Sequence, residues 1–138
     1  MNVRLFRENE QWPSGLITGF ESMPRQFIQH DWVFVVEDSD HVQGILMTAP
    51  AHGLVILMRC QMLKDAPVTT LRRLLGWSLR ELSRRGYHLW ATVLDPTTDA
   101  EREIYRLARM WGGEQWPTPA VVVVGLTHKS RRVAQCPS

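Results

Sequence analysis

The chain has 138 residues, 44% hydrophobic and 22% charged, with six tryptophans and a formal net charge of +2. That is one domain's worth of chain, able to bury roughly two thirds of the surface its unfolded form would expose. The composition excludes a disordered chain, and the charge is too small to predict a nucleic-acid or membrane partner by itself.

VRLFRE (3–8) alternates apolar and polar residues and predicts a short first strand. Residues 9–30 are broken by Pro13, Gly15, Gly19 and Pro24 and predict one or two short helices. WVFVVE (32–37), VQGILMTA (42–49) and LVILMRCQML (54–63) read as three strands, joined by the turns DSDH and PAHG into an antiparallel meander. From Val68 the apolar residues fall at 68, 71, 74, 75, 79 and 82, the spacing of an amphipathic helix, with arginines on its solvated face and Gly86 as its stop. HLWATVL (88–94) predicts a central buried strand. A second helix follows, with Asp95, Thr97, Thr98 and Asp99 as candidate N-caps and Gly112 and Gly113 at its end. PAVVVVGL (119–126) predicts a last strand, and 127–138 a loose basic tail. The expected organisation is one domain over 1–126 plus that tail.

Two cysteines, Cys60 in an apolar run and Cys136 near the end, make no disulfide framework and suit a reducing cytoplasm. MNVRLFRENEQW has no apolar signal-peptide core, and Gly44–Met58 is too short and broken to span a bilayer. The expectation is a soluble, cytoplasmic protein. The five histidines share no metal-ligand spacing, so no metal is expected. His52 reads as a turn residue, Cys60 as a buried apolar side chain, and Ser14 lacks a nucleophile elbow.

The order β, short helices, β-β-β, α, β, α, β resembles the GNAT (GCN5-related N-acetyltransferase) family over about residues 3–126, as does the helix ending in LARMWGGEQW (107–116). The resemblance implies an α+β fold, with a mixed twisted sheet that is antiparallel in its first half and has a parallel crossover in its second. It implies that acetyl-CoA lies in a V-shaped opening between strand 54–63 and strand 88–94. A backbone N–H of strand 54–63 would hold the thioester carbonyl and the N-terminus of the helix that starts near Val68 the pyrophosphate, with Met62, Leu63, Val68, Thr69, Thr70, Leu71 and Arg72 as the cofactor-binding residues. The acetyl group would pass to a primary amine by direct attack.

The family's phosphate loop reads roughly Arg/Gln-x-x-Gly-x-Gly/Ala. The matching stretch here is Pro67-Val-Thr-Thr-Leu-Arg72, without either glycine. Two readings stay open. In one, Asp65, Thr69 or Thr70 caps the helix and Pro67 sits in its first turn. In the other, backbone amides of Val68 to Leu71 and the hydroxyls of Thr69 and Thr70 hold a phosphate. The family's helix-borne general acid would fall at Ala108, which leaves Tyr105, one turn earlier, as its substitute. The strand before the loop carries no acid, which leaves Glu37 as a base acting through water.

Two functions follow: an acetyl-CoA-dependent N-acetyltransferase, or a catalytically inactive GNAT-fold protein with a structural or partner-binding role. The second resembles small GNAT-like proteins of tailed bacteriophages, whose phosphate loops are degenerate, and would put the chain in a virion or its assembly. The arginine stripe makes a nucleic-acid binder a distant third. The acceptor amine, the partner protein and a homodimer are left open by the sequence.

Overall fold

β-Branched and aromatic residues separated by tight turns build the first half of the sheet. In the computed structural model, which describes residues 1–13, 15–16, 29–51, 53–93, 96–115 and 121–125, four antiparallel strands come first. They are β1 (Asn2–Leu5), β2 (Val33–Asp38), β3 (His41–Ala51) and β4 (Leu54–Met62). A single 3-10 turn, His30–Trp32, leads into β2. The β2–β3 connection is two residues, Ser39 and Asp40, with φ of 52° and 65°. Positive φ at both positions matches the twist of the strands that a two-residue hairpin joins.

Next come α1 (Val68–Arg84), β5 (Leu89–Val93), α2 (Asp99–Met110), β6 (Glu114–Gln115) and β7 (Val121–Gly125). The seven strands form one sheet in the order β1-β2-β3-β4-β5-β7-β6. β4 and β5 run parallel, joined by the α1 crossover, and the other pairs are antiparallel. This is the mixed α+β sheet that the sequence predicts.

Both helices stop where their glycines require. After α1, Gly86 takes φ of 103°, Tyr87 N–H donates to the Leu82 carbonyl and Gly86 N–H to Ser83. After α2, Gly112 takes φ of 82°, Gly113 N–H donates to Ala108 and Gly112 N–H to Arg109. Both are Schellman endings, and the left-handed residue is a glycine because it has no Cβ to clash.

Alternation along β2 divides the protein into layers. Phe34 and Val36 face a core shared with Leu46, Leu57, α1 (Leu71, Leu74, Leu75) and α2 (Ile104, Leu107). Val33 and Val35 face the opposite side, with Phe6, Leu16, Ile45 and Met47. Both helices therefore lie on one face of the sheet. Trp90, from β5, is 1% exposed in the helix-side core.

Some boundaries differ from the sequence reading. β1 ends at Leu5 rather than continuing to 8, because the chain turns at once: Glu10 N–H donates to the Arg7 carbonyl and Arg7 N–H to the Glu10 carboxylate. β6 was not anticipated, since two residues carry no periodicity. The expected short helices of 9–30 fall mostly outside the described residues, as do Ser14, His52, Asp95, Cys136 and the 127–138 tail.

Candidate functional site

β4 is where the sheet changes character. Its ladder with β3 skips Met58: Met47 opposes Arg59 and Thr48 opposes Leu57. The extra residue is a β-bulge, which bends the strand locally. Parallel pairing with β5 runs only from Val55↔Trp90 to Leu57↔Thr92. Beyond it the last residues of β4 have no neighbouring strand on that edge among the described residues, and backbone groups there need other partners.

The first turn of α2 supplies them. Thr98 is its N-cap: the Thr98 hydroxyl accepts from Glu101 N–H at 3.1 Å and donates to the Cys60 carbonyl at 2.5 Å. The Glu101 carboxylate accepts from Cys60 N–H at 3.0 Å, Thr97 N–H at 3.0 Å and Arg59 Nε at 2.9 Å. Glu101 is only 4% exposed. Burial alone would raise its pKa. The bonds from Cys60 and Thr97 and the charge of Arg59 more than offset that and hold it below the ordinary carboxylate value. Glu101 is thus a fixed negative charge that pins α2 to β4.

Burial, with the Glu101 charge second, pushes the Cys60 thiol far up, so it is no nucleophile at neutral pH.

Beside this clamp lies a cavity of about 660 Å³. Its walls are Gly15, the end of β4 (Gln61, Met62), Leu63, Lys64, Ala66 and Pro67 of the loop after it, Val68 and Leu71 of α1, Thr97 and Thr98, and Asp99, Ala100, Arg102 and Glu103 at the start of α2. Met62 lies over Gly44 of β3, where an added Cβ would sit 2.2 Å from the Met62 sulfur, so the glycine makes room for that side chain. Of the charged groups around the cavity, Arg102 pairs with Asp99, and Glu103 with Arg106 at 2.5 Å. The hydrogen bond from Arg106 holds Glu103 below the ordinary carboxylate value, with burial opposing, so Glu103 carries no proton to donate at pH 7. Lys64, exposed on the rim, is in no ion pair among the described residues.

α1 opens onto this cavity without a side-chain cap. Its N-cap is Pro67, in extended backbone, and its first turn contains no acid. This corrects the expectation that Asp65, Thr69 or Thr70 caps the helix with Pro67 inside it. Thr70 N–H donates to the Pro67 carbonyl at 3.0 Å, leaving Val68 and Thr69 as the first amides without an intrahelical acceptor.

The predicted site residues are only partly brought together. Met62, Leu63, Val68 and Leu71 line the cavity. Thr69 is exposed in the first turn of α1. Thr70 is 1% exposed and its hydroxyl has no hydrogen-bond partner among the described residues. Arg72 lies further along α1, 3.9 Å from Glu103. Tyr105 is half-buried against the helix-side core rather than on the cavity wall. Glu37 pairs with Arg4 at 3.2 Å, two strands away from β4. Sequence reasoning missed Glu101, although Thr98-Asp-Ala-Glu101 has the spacing of a capping box, a signal that could have found it. Among the described residues no cluster of three His, Cys, Asp or Glu could hold a metal, and no helix is long and apolar enough to cross a membrane.

No protein-family profile matches the chain, and no curated protein matches its sequence. Solved structures do. The ribosomal-protein-S18-alanine N-acetyltransferase of Escherichia coli aligns at TM-score 0.56 and 15% identity, over 74% of this chain and 74% of its own. A mutant AtaT toxin bound to the C-terminus of the antitoxin AtaR and acetyl-CoA aligns at TM-score 0.56 and 8% identity, over 97% of this chain and 98% of its own. The PaiA N-acetyltransferase of Thermoplasma acidophilum, in complex with coenzyme A, aligns at 0.53 and 8%, over 67% of this chain and 59% of its own. At these identities the likeness is one of architecture, and the architecture is that of the GNAT acetyltransferases.

Proposed function

We propose that the protein is an acetyl-CoA-dependent N-acetyltransferase that acts on a primary amine by direct attack. The observation that carries this reading is the uncapped N-terminus of α1 opening onto a 660 Å³ cavity at the point where β4 and β5 part. Free amides and the positive end of the helix dipole suit a phosphate, and the first turn holds no carboxylate to compete. The amides of Val68 and Thr69 and the ammonium of Lys64 would hold the pyrophosphate. Met62 and Leu63 would contact the pantetheine.

Bound acetyl-CoA would supply an activated acyl thioester. The chain's own part is positioning, which by itself can lower a barrier by roughly 7–11 kcal/mol when the reacting atoms are well aligned. Glu103, held below the ordinary carboxylate value by Arg106, is no base matched to pH 7, and Asp99 is engaged by Arg102. The amine must therefore arrive neutral, and the rate should rise with pH toward the amine's own pKa. Tyr105 and Glu37 have no direct reach to this cavity, so neither is needed in the reading.

One observation favours the second reading, a GNAT-fold protein that binds a partner without catalysis, as in the phage proteins that the loop resembles. The Cys60 amide and carbonyl, on the β4 edge that a pantetheine chain would follow, are already bonded to Glu101 and Thr98. Thermal denaturation with and without 1 mM acetyl-CoA separates the two. At a hundredfold excess over Kd, binding stabilises by about 2.7 kcal/mol, a shift of several degrees. The expected result is such a shift, lost in Thr69→Glu, together with amine-dependent release of free thiol. No shift would end the enzyme reading.

A further inference from the structure

A second groove runs between α1 and α2. It encloses about 350 Å³ and is floored by Leu75, Gly76 and Leu79 of α1 and by Leu107, Met110 and Trp111 at the end of α2. It shares no lining residue with the 660 Å³ cavity. Met110 is 61% exposed and Trp111 48%, an apolar pair left to water at one end of the groove.

Gly76 is the informative residue. It stands in the middle of a 17-residue helix, where glycine weakens the helix relative to alanine. An added Cβ would meet no atom within 4 Å, so nothing in the described chain requires the missing side chain. On the floor of a groove a glycine lets a visiting element come close to the helix backbone.

The rim narrows the choice of visitor. Arg73 and Arg80 of α1, about one turn to either side of Gly76, are exposed and in no ion pair among the described residues, whereas Arg72, which lines the groove itself, lies 3.9 Å from Glu103. Arg106, on the α2 side, is already neutralised by Glu103. A second copy of this chain would set arginine against arginine. The chain's own segment 127–138 carries Lys129, Arg131 and Arg132 and no acid, so it is repelled by the same rim. An apolar floor suits side-chain anchors rather than a sugar-phosphate backbone. A channel between two helices accepts a third helix by ridge-in-groove packing, whereas a strand needs an open sheet edge.

We propose that this groove docks an amphipathic helix of another protein, with apolar anchors along one face and acidic residues flanking them. It is a binding surface separate from the site of acyl transfer.

The probe is a synthetic 14-residue helical peptide with leucines at i, i+3, i+7 and i+10, flanking glutamates and a terminal fluorophore. A control replaces the glutamates by lysines. Fluorescence anisotropy at low salt should give micromolar binding of the acidic peptide, at least tenfold tighter than the control. Gly76→Gln fills the notch from an exposed position and Met110→Glu reverses the anchor's character. Each should weaken binding at least tenfold while circular dichroism stays unchanged, and Gly76→Gln should leave any acetyl-CoA thermal shift intact. The proposal is overturned by no binding of the acidic peptide, by equal binding of both peptides, or by a Gly76→Gln protein that binds as before. It is equally overturned if sedimentation shows a dimer that Met110→Glu dissolves, which would give the groove to a second copy.

Discussion

The two helices on the same face of the sheet begin in opposite ways. α2 starts with a threonine cap, two acids in its first turn, and a carboxylate bonded to the neighbouring strand. α1 starts with a proline, no side-chain cap and no acid, facing a cavity. Each helix start leaves amides unsatisfied and carries partial positive charge. In α2 that need is met internally and becomes part of the fold's stability. In α1 it is left facing outward. The contrast leaves α1 with the uncapped start and makes α2 the helix that is pinned to the sheet, although both starts sit beside the same cavity.

Removing the clamp should give the largest effect. Glu101→Ala would leave Cys60 N–H and Thr97 N–H without their acceptor and take the carboxylate away from Arg59. Losing one partner of a buried pair costs about 3–5 kcal/mol. Arg59 is partly exposed, with 32% of its side chain accessible, and water can take up some of its charge. A loss of about 3 kcal/mol is therefore expected in urea denaturation, near the lower end of that range. Glu101→Gln keeps an acceptor for Cys60 N–H and should cost clearly less. Equal losses in the two variants would mean that the carboxylate's charge alone matters.

The same clamp has a pH signature. Because its folded-state pKa lies below the usual 4.5, Glu101 contributes stability that is fully present above pH 4.5 and lost as pH falls through the folded value. Glu103 shifts in the same direction, as does Glu81, lowered to about 2 by its hydrogen bond from Arg84 with burial opposing. The parent protein will therefore lose stability in acid for several reasons. The difference between parent and Glu101→Gln isolates one of them, and it should shrink below pH 4.5. A difference independent of pH would show that Glu101 is not ionised in the folded state.

Much of this contrast was visible in the sequence, and the reason for what was not is physical. α1 is legible from apolar spacing, α2 from its candidate caps and first-turn acids, and both stops from glycines at 86 and 112, because those signals are local. Thr98 was among the candidate caps for the same reason. The bond from Glu101 to Cys60 spans 41 positions, and no local pattern encodes it. The bulge at Met58 is likewise a property of two strands together. At α1 the sequence showed a proline and two threonines but not their roles. Only packing reveals that Pro67 sits outside the helix and that Thr70 is buried.

A smaller effect is expected at the cap itself. Thr98→Ala removes the acceptor for Glu101 N–H and the donor to the Cys60 carbonyl, for a loss of about 1–2 kcal/mol. Thr98→Ser keeps both functions and should recover most of it. If serine fails to rescue, packing of the threonine methyl rather than the hydroxyl bonds holds this end of α2.

The smallest effect on stability is the sharpest test of the contrast. Pro67 has φ of −64° and ψ of 153°, a backbone that aspartate adopts without strain. Pro67→Asp would give α1 the capped, acidic start that α2 already has. A new cap contributes about 1 kcal/mol. Losing proline's restriction of the unfolded chain takes back about 0.4–1 kcal/mol, so net stability should change by less than about 1 kcal/mol. Ligand response should change far more, because the new carboxylate stands where an anion would dock and its oxygen takes an amide the anion needs. An acetyl-CoA thermal shift in the parent that vanishes in Pro67→Asp, with denaturation midpoints nearly equal, makes the open start of α1 a binding site. A shift that persists moves the phosphate away from α1, and with it the reason for leaving that helix uncapped.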